Sequence, residues 1–191
     1  CGGLEGMRLA RPLPAECRRV VVDELTLGRR VTELAAALDT AYGGQDVRLV
    51  TVLRGGVFFL ADLCRAMRSD VRLDFMAVSS YGTSTKSSGV VRILKDLDEG
   101  IEGRNVLVVE DILDTGLTLK YLLKNLASRS PKSLEVVTLL SKEGKQRVPI
   151  DCKYVGFDIE DEFVVGYGLD YAERYRNLPF VGVLKPAIYS E

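Results

Sequence analysis

Histidine is missing from all 191 residues. Its absence removes every Ser-His-Asp or Cys-His arrangement, every histidine metal cluster and every imidazole general base, so proton transfer falls to carboxylates, Lys, Tyr or Cys. Cysteine is sparse. Cys1, Cys17, Cys64 and Cys152 are scattered without a CxxC pair, which argues against a disulfide framework or a zinc site and fits reduced thiols in a cytoplasm. No apolar run approaches the roughly 18 to 20 residues that a membrane span needs. The opening stretch lacks a charged leader followed by an apolar one, so secretion is not expected. Residues 1–6, ahead of Met7, read as a cloning remnant or the tail of a trimmed extension, with which an organellar address could be lost. An excess of charge of either sign is also lacking: 26 Lys plus Arg face 27 Asp plus Glu. No overall field draws in nucleic acid or an anionic membrane, so any phosphate site must be local.

What is present reads as a folded α/β chain. Hydrophobic residues make up 47% and charged residues 28% of the sequence, and the length suits one good-sized domain. After a polar, proline-containing opening, Val31, Leu34, Ala35 and Leu38 recur at helical spacing, and Gly43-Gly44 supplies the stop. Val47 to Leu53 reads as a strand and Arg54-Gly55-Gly56 as a tight turn. Val57, Leu60, Ala61 and Cys64 follow as the buried stripe of a second helix. Arg72 to Val78 is another strand, leading into a small, polar stretch from Ser79 to Gly89 that predicts a surface loop. Val90 to Leu94 suits a short strand and Asp96 to Gly103 a charged turn. Val106 to Val109 is an apolar, mostly β-branched run fit for a central strand, and Leu119, Leu122, Leu123 and Leu126 form a helical stripe. Leu134 to Leu140 closes the series. Alternating strands and helices predict a mainly parallel sheet covered on both faces. Beyond Lys142 the pattern changes to short strands around Tyr154 to Phe157, Phe163 to Gly166 and Val181 to Leu184, a small lobe over the sheet edge.

Ligands of open parallel sheets collect at the carboxyl ends of the strands, where Glu110-Asp111 is expected. Two adjacent carboxylates there can accept hydrogen bonds from a sugar diol, directly or through a bound magnesium ion. Thr115-Gly116-Leu117-Thr118 follows at the expected start of a helix, where free backbone amides and the positive end of the dipole favour a phosphate. Gly116 permits close backbone approach, and Thr115 and Thr118 add hydroxyl donors. A diol site beside a phosphate site describes ribose 5-phosphate.

The stretch from Val106 to Thr118 resembles the signature with which type I phosphoribosyltransferases bind phosphoribosyl pyrophosphate (PRPP). From about Asp23 to Leu184 the chain resembles the hypoxanthine-guanine branch of that family. The resemblance implies a Rossmann-like, mainly parallel sheet flanked by helices, with a small C-terminal hood. It divides the chain into an N-terminal segment (1–22) and a phosphoribosyltransferase domain (23–191), the hood formed mainly by 143–191. It also implies Mg2+ as cofactor, PRPP and a 6-oxopurine base as substrates, and a homodimer or homotetramer; no nucleic-acid or membrane partner is expected.

By the same resemblance, Leu53, Arg54 and Gly55 take the place of the pyrophosphate turn, with Arg54 where the family often has Lys, and Arg176 is a second pyrophosphate contact. Ser80, Tyr81 and Gly82 match a flap that closes over the reaction centre. Asp114 is the candidate general base toward the purine N7 proton, with no histidine to compete for that role. Lys142 matches the lysine that contacts the 6-oxo group. Its ammonium has donors and no acceptor, so it mismatches the 6-amino group of adenine. Phe163 and the Val164 backbone match the segment that stacks on the purine and reads its edge, and Asp170 matches an aspartate for a second magnesium, beside Glu110 and Asp111. Two alternatives stay open: a transferase preferring xanthine, and a PRPP-sensing regulator that binds RNA on the same fold.

Overall fold

The computed structural model describes residues 11–80 and 91–190. The chain opens with β1 (Cys17–Val22), within the stretch whose sequence reads only as a polar opening. Asp23 then caps α1 (Glu24–Tyr42), its carboxylate accepting from the Thr26 amide at 2.8 Å. Gly43, at φ 56°, ends the helix in the left-handed conformation that Gly43-Gly44 predicts. There follow β2 (Val47–Val52), α2 (Val57–Ala66), β3 (Val71–Ser80), β4 (Val91–Lys95) and β5 (Asn105–Leu113). The chain continues with α3 (Leu117–Ala127), β6 (Ser133–Lys142), β7 (Tyr154–Ile159), β8 (Val164–Val165), β9 (Val181–Leu184) and a final turn of helix, α4 (Pro186–Tyr189).

Six strands form the main sheet in the order β4-β3-β2-β5-β6-β7. All its pairings are parallel except β3 with β4. The strands of this sheet carry near-continuous apolar runs because both faces are covered. On one face Leu49, Leu107, Val109 and Leu139 pack under Leu34 and Leu38 of α1 and Phe59 and Leu63 of α2. On the other, Val50, Met76, Val106 and Val108 pack under Leu119, Leu122 and Leu126 of α3. Each such Leu or Phe, fully buried, contributes about 1.5–3 kcal/mol.

Three local expectations change. The α2 stripe is rotated: Phe59, Leu60 and Leu63 are buried while Ala61 is exposed and Val57 and Cys64 lie half-buried. The helix packs against both the sheet and α1, and the larger Phe59 and Leu63 take the deep positions. The sheet does not close at β6, since β7 adds a parallel strand with Lys142 opposite Ile159. The strands that follow Lys142 therefore divide between two sheets. The second is antiparallel, in the order β1-β9-β8, and carries a small core of Cys17, Val165, Leu178, Phe180 and Leu184. This is the hood, and β1 is built into it although residues 1–22 read as a separate segment.

Candidate active site

The order β3-β2-β5-β6 reverses direction at β2 and β5, and the crevice beyond their carboxyl ends is where open α/β sheets bind ligands. Thr51 joins the two strands there, its buried hydroxyl donating to the Val109 carbonyl at 2.7 Å. Beyond Val109 the ladder to β2 stops, whereas β5 runs on to Leu113 against β6. Glu110 and Asp111 thus lie on an extended strand and not in the turn after it, as their position behind Val109 suggests. Side chains alternate along a strand, and the two acids diverge. Glu110 lines a cavity of about 160 Å3 with Asp114, Thr115, Gly116 and Thr118 at the start of α3. Asp111 turns the other way, onto the glycine turn after β2, where a methyl group on Gly55 would meet its Oδ2.

Burial, and then the charge of Asp111, push the Glu110 carboxyl up to about 8. Burial raises Asp111 as well, against the hydrogen bond from the Ile112 amide at 2.8 Å and the nearby Arg176 guanidinium. Both acids are therefore reluctant anions that a cation would relieve.

Two helix N-termini flank these acids, both without a side-chain cap. Gly56 starts α2 and Gly116, at φ 78°, starts α3. The Val57 amide of α2 reaches back to the Arg54 carbonyl at 3.2 Å, and with no side chain closing either helix start the two Gly-rich turns set the positive ends of both dipoles on either side of the crevice, where an anion is favoured. The Leu53–Arg54 peptide bond is cis. A methyl on Gly116 would press on Val148 and Ile150, which fold over the start of α3. Arg147 donates its amide to the Thr115 carbonyl from the same segment, at 3.0 Å. Thr115 Oγ1 is 3.5 Å from the Leu117 amide, a weak contact that leaves the hydroxyl available.

Asp114 sits just past β5. Its Oδ1 is buried and accepts no hydrogen bond among the described residues, while Oδ2 lies 3.8 Å from Lys142 Nζ. Lys142, at the end of β6, is only 12% exposed, and its ammonium stands 3.4 Å from Asp161 Oδ1 on its other side. The expected pairing of a base and a 6-oxo donor is thus brought into one place.

The hood closes over the glycine turn after β2. A methyl on Gly168 would strike the Gly55 carbonyl, so the backbones of hood and turn touch. Arg176 donates to the Gly168 carbonyl at 2.8 Å and pairs with Asp170 at 3.1 Å and Glu173 at 3.2 Å. Glu173 also holds Arg54, at 2.8 Å. Arg54, Glu173, Arg176 and Asp170 form one chain of alternating charge, and Arg54 and Arg176 are brought within reach of one carboxylate. Sequence reasoning did not single out Glu173 or Asp161. The i,i+3 spacing of Glu173 to Arg176 was a signal for the first, and the acidic run Glu160-Asp161-Glu162 beside Phe163 for the second.

Phe163 lies just before β8 and not within it. Its ring is stacked on Tyr189 of α4, with centroids 4.8 Å apart, and meets Tyr171 edge-on. Val164 is buried in β8. Of Ser80 only the backbone, at the end of β3, is described, and Tyr81 and Gly82 lie outside the described residues. A larger groove of about 810 Å3 lies between α1, α2 and Tyr167, but none of the four site aspartates and glutamates lines it. Glu110 and Asp114 line the smaller cavity at the sheet's carboxyl edge instead.

This combination of a switch-point crevice, two open helix N-termini and an acid-bearing strand between them defines a phosphoribosyltransferase, and residues 21–172 match the phosphoribosyl transferase domain family. The chain is 50% identical to a hypoxanthine-guanine phosphoribosyltransferase of Mycobacterium avium over 184 residues, covering 93% of this chain and 91% of that one. It is 49% identical to the Bacillus subtilis enzyme of the same name over 174 residues, covering 91% and 97%. A crystal structure of a Staphylococcus aureus hypoxanthine phosphoribosyltransferase superposes with a TM-score of 0.90 at 46% identity, covering 92% of this chain and 96% of the other. The chain belongs to the hypoxanthine-guanine phosphoribosyltransferase family, the PRPP-using transferases of purine salvage.

Proposed function

We propose that the enzyme transfers the 5-phosphoribosyl group of PRPP to N9 of hypoxanthine or guanine, giving IMP or GMP and pyrophosphate. The observation that carries this reading is the placement of Asp114 Oδ1, buried and open, beside Lys142 at the mouth of an uncapped α3. The start of α3, with Thr115 and Thr118, holds the 5′-phosphate. The ribose lies along Glu110 and Asp111, and the turn at Arg54-Gly55-Gly56 with Arg176 receives the pyrophosphate. For these cations to reach an anion, Glu173 must release Arg54 and share Arg176.

The purine lies between Lys142 and Phe163. Lys142 donates to the 6-oxo oxygen, a contact the 6-amino group of adenine cannot return, so adenine sets donor against donor at this position and is rejected. As the C1–N9 bond forms and the C1–oxygen bond to pyrophosphate breaks with inversion, Asp114 takes the N7 proton. Orientation by the two helix N-termini and neutralisation of the leaving group supply most of the acceleration.

No group of three or more His, Cys, Asp or Glu forms a metal cage among the described residues. Magnesium does not require one: it takes one or two carboxylates and completes its shell with water and substrate oxygens. Asp111, pressed against Gly55 with its carboxylate raised by burial, suits that role, with Asp170 across the crevice and Glu110 on the far face of the strand. The ion would neutralise charge on the diol and the departing pyrophosphate. No helix among the described residues is long and apolar enough to cross a membrane. We place the enzyme in the cytoplasm, as a homodimer or homotetramer.

The test is a spectrophotometric assay of nucleotide formation from PRPP and magnesium with hypoxanthine, guanine, xanthine and adenine in parallel. Turnover of hypoxanthine or guanine and not adenine is expected. Turnover of adenine at a comparable rate would overturn the Lys142 assignment.

A further inference from the structure

We infer that Asp161 is a positioning residue for purine recognition: it holds the Lys142 ammonium off Asp114, so that donor and base stay separately available. The inference rests on the reading of Lys142 as the donor to the 6-oxo oxygen. Its basis is a clamp. Lys142 Nζ lies between two carboxylates, 3.4 Å from Asp161 Oδ1 and 3.8 Å from Asp114 Oδ2. Both distances are longer than a usual hydrogen bond, so the ammonium is held loosely and mainly by charge. The lysine side chain is only 12% exposed while Asp161 and Asp114 are 44% and 45% exposed, so water screens part of the attraction and the clamp rests on how the lysine stem is packed.

The fold fixes this placement. Lys142 stands opposite Ile159 in the β6–β7 ladder, and Asp161 lies two residues beyond Ile159 on the segment that leads to Phe163. One short stretch thus carries both the residue that tethers the donor and the ring assigned to the purine face. Lys145 completes the arrangement, its ammonium 2.7 Å from Asp161 Oδ2. Asp161 spends one oxygen on each lysine. Hydrogen bonding to Lys145 is the largest influence holding its carboxyl below the usual range, with Lys142 adding to it, so Asp161 is charged at neutral pH. Because Lys145 takes up much of that charge, Asp161 restrains Lys142 without capturing it.

Without Asp161, the carboxylate left within 4 Å of the Lys142 ammonium among the described residues is Asp114. The ammonium then closes onto the general base. That single collapse removes a donor from the purine and an acceptor from the proton transfer. A role confined to folding would have neither effect.

The experiment is a double-mutant cycle on IMP affinity, measured by calorimetry on the intact enzyme, with steady-state kinetics alongside. Asp161→Asn is expected to weaken IMP about tenfold, as fits loss of a charge-supported hydrogen bond, and to raise the hypoxanthine KM while leaving the PRPP KM unchanged. Asp161→Glu should recover part of the loss. In a Lys142→Ala background, Asp161→Asn should have no further effect. An equal loss in both backgrounds, or no loss in the native background, would overturn the inference. If Lys142→Ala itself leaves IMP affinity intact, the assignment of Lys142 falls, and the inference falls with it.

Discussion

Gly55 and Asp111 are packed so closely that a methyl group built on the glycine would stand 1.8 Å from the aspartate Oδ2. The glycine turn after β2 and the acid on β5 therefore have a joint geometry, and neither can change alone. Gly55→Ala should swing the Asp111 carboxylate out of place, because a short side chain yields more readily than two strands of sheet. The expected result is a rise of about tenfold or more in the PRPP KM, as displacement of a positioning group brings, with little change in melting temperature. An unaltered PRPP KM would mean that Asp111 does not act from this position.

Asp114→Asn keeps the shape of the site and removes the charge that accepts a proton. Turnover should fall by roughly 10²- to 10⁴-fold, the range over which general-base catalysis acts, while PRPP affinity changes less than about threefold. Parallel losses in turnover and PRPP binding would reassign Asp114 to substrate binding. The buried, unpartnered Oδ1 is the atom this substitution tests.

Acid should reveal a contact far from the chemistry. Asp39, near the end of α1, accepts hydrogen bonds from the Arg68 and Ser69 amides and the Ser69 hydroxyl, and so fastens α1 to the chain leaving α2. Burial works against its charge, but these hydrogen bonds outweigh it and hold the carboxyl below its usual value of 3.8. A depressed folded pKa means that the stabilisation is present above the unfolded value and is lost as pH falls through the folded one. Asp39→Asn should lower the melting temperature at pH 7, and the gap from the parent should narrow below about pH 4, where the unfolded carboxylate protonates. A gap constant down to pH 3 would show that packing, and not the charge, is what the substitution removes.

Much of this architecture was legible in the residues. The α1 stripe, the β-branched run of β5 and the Gly43 stop act through local periodicity and local backbone geometry, and each appears where the sequence places it. The motif from Glu110 to Thr118 was legible for the same reason, since strand, turn and helix start are contiguous. What the sequence concealed was non-local. β1 looks like a loop because only its partner β9 makes it a strand, and β7 is short enough that its place depends on β6. The divergence of Glu110 and Asp111 follows from two further residues of strand, which pairing with β6 supplies and apolarity does not announce. Glu173 and Asp161 show the same limit, for their meaning lies in Arg54 and Lys142, which fold in from elsewhere.

The pairing of β1 with β9 joins the first strand among the described residues to the last. During synthesis β2, β3, β5 and β6 can assemble the phosphate-binding edge while β1 still waits for its neighbour. The hood, with its small core and its aromatic cluster, is then the last part to form. A nascent chain would thus build the carboxyl edge of β2 and β5 before the lid of strands that covers it.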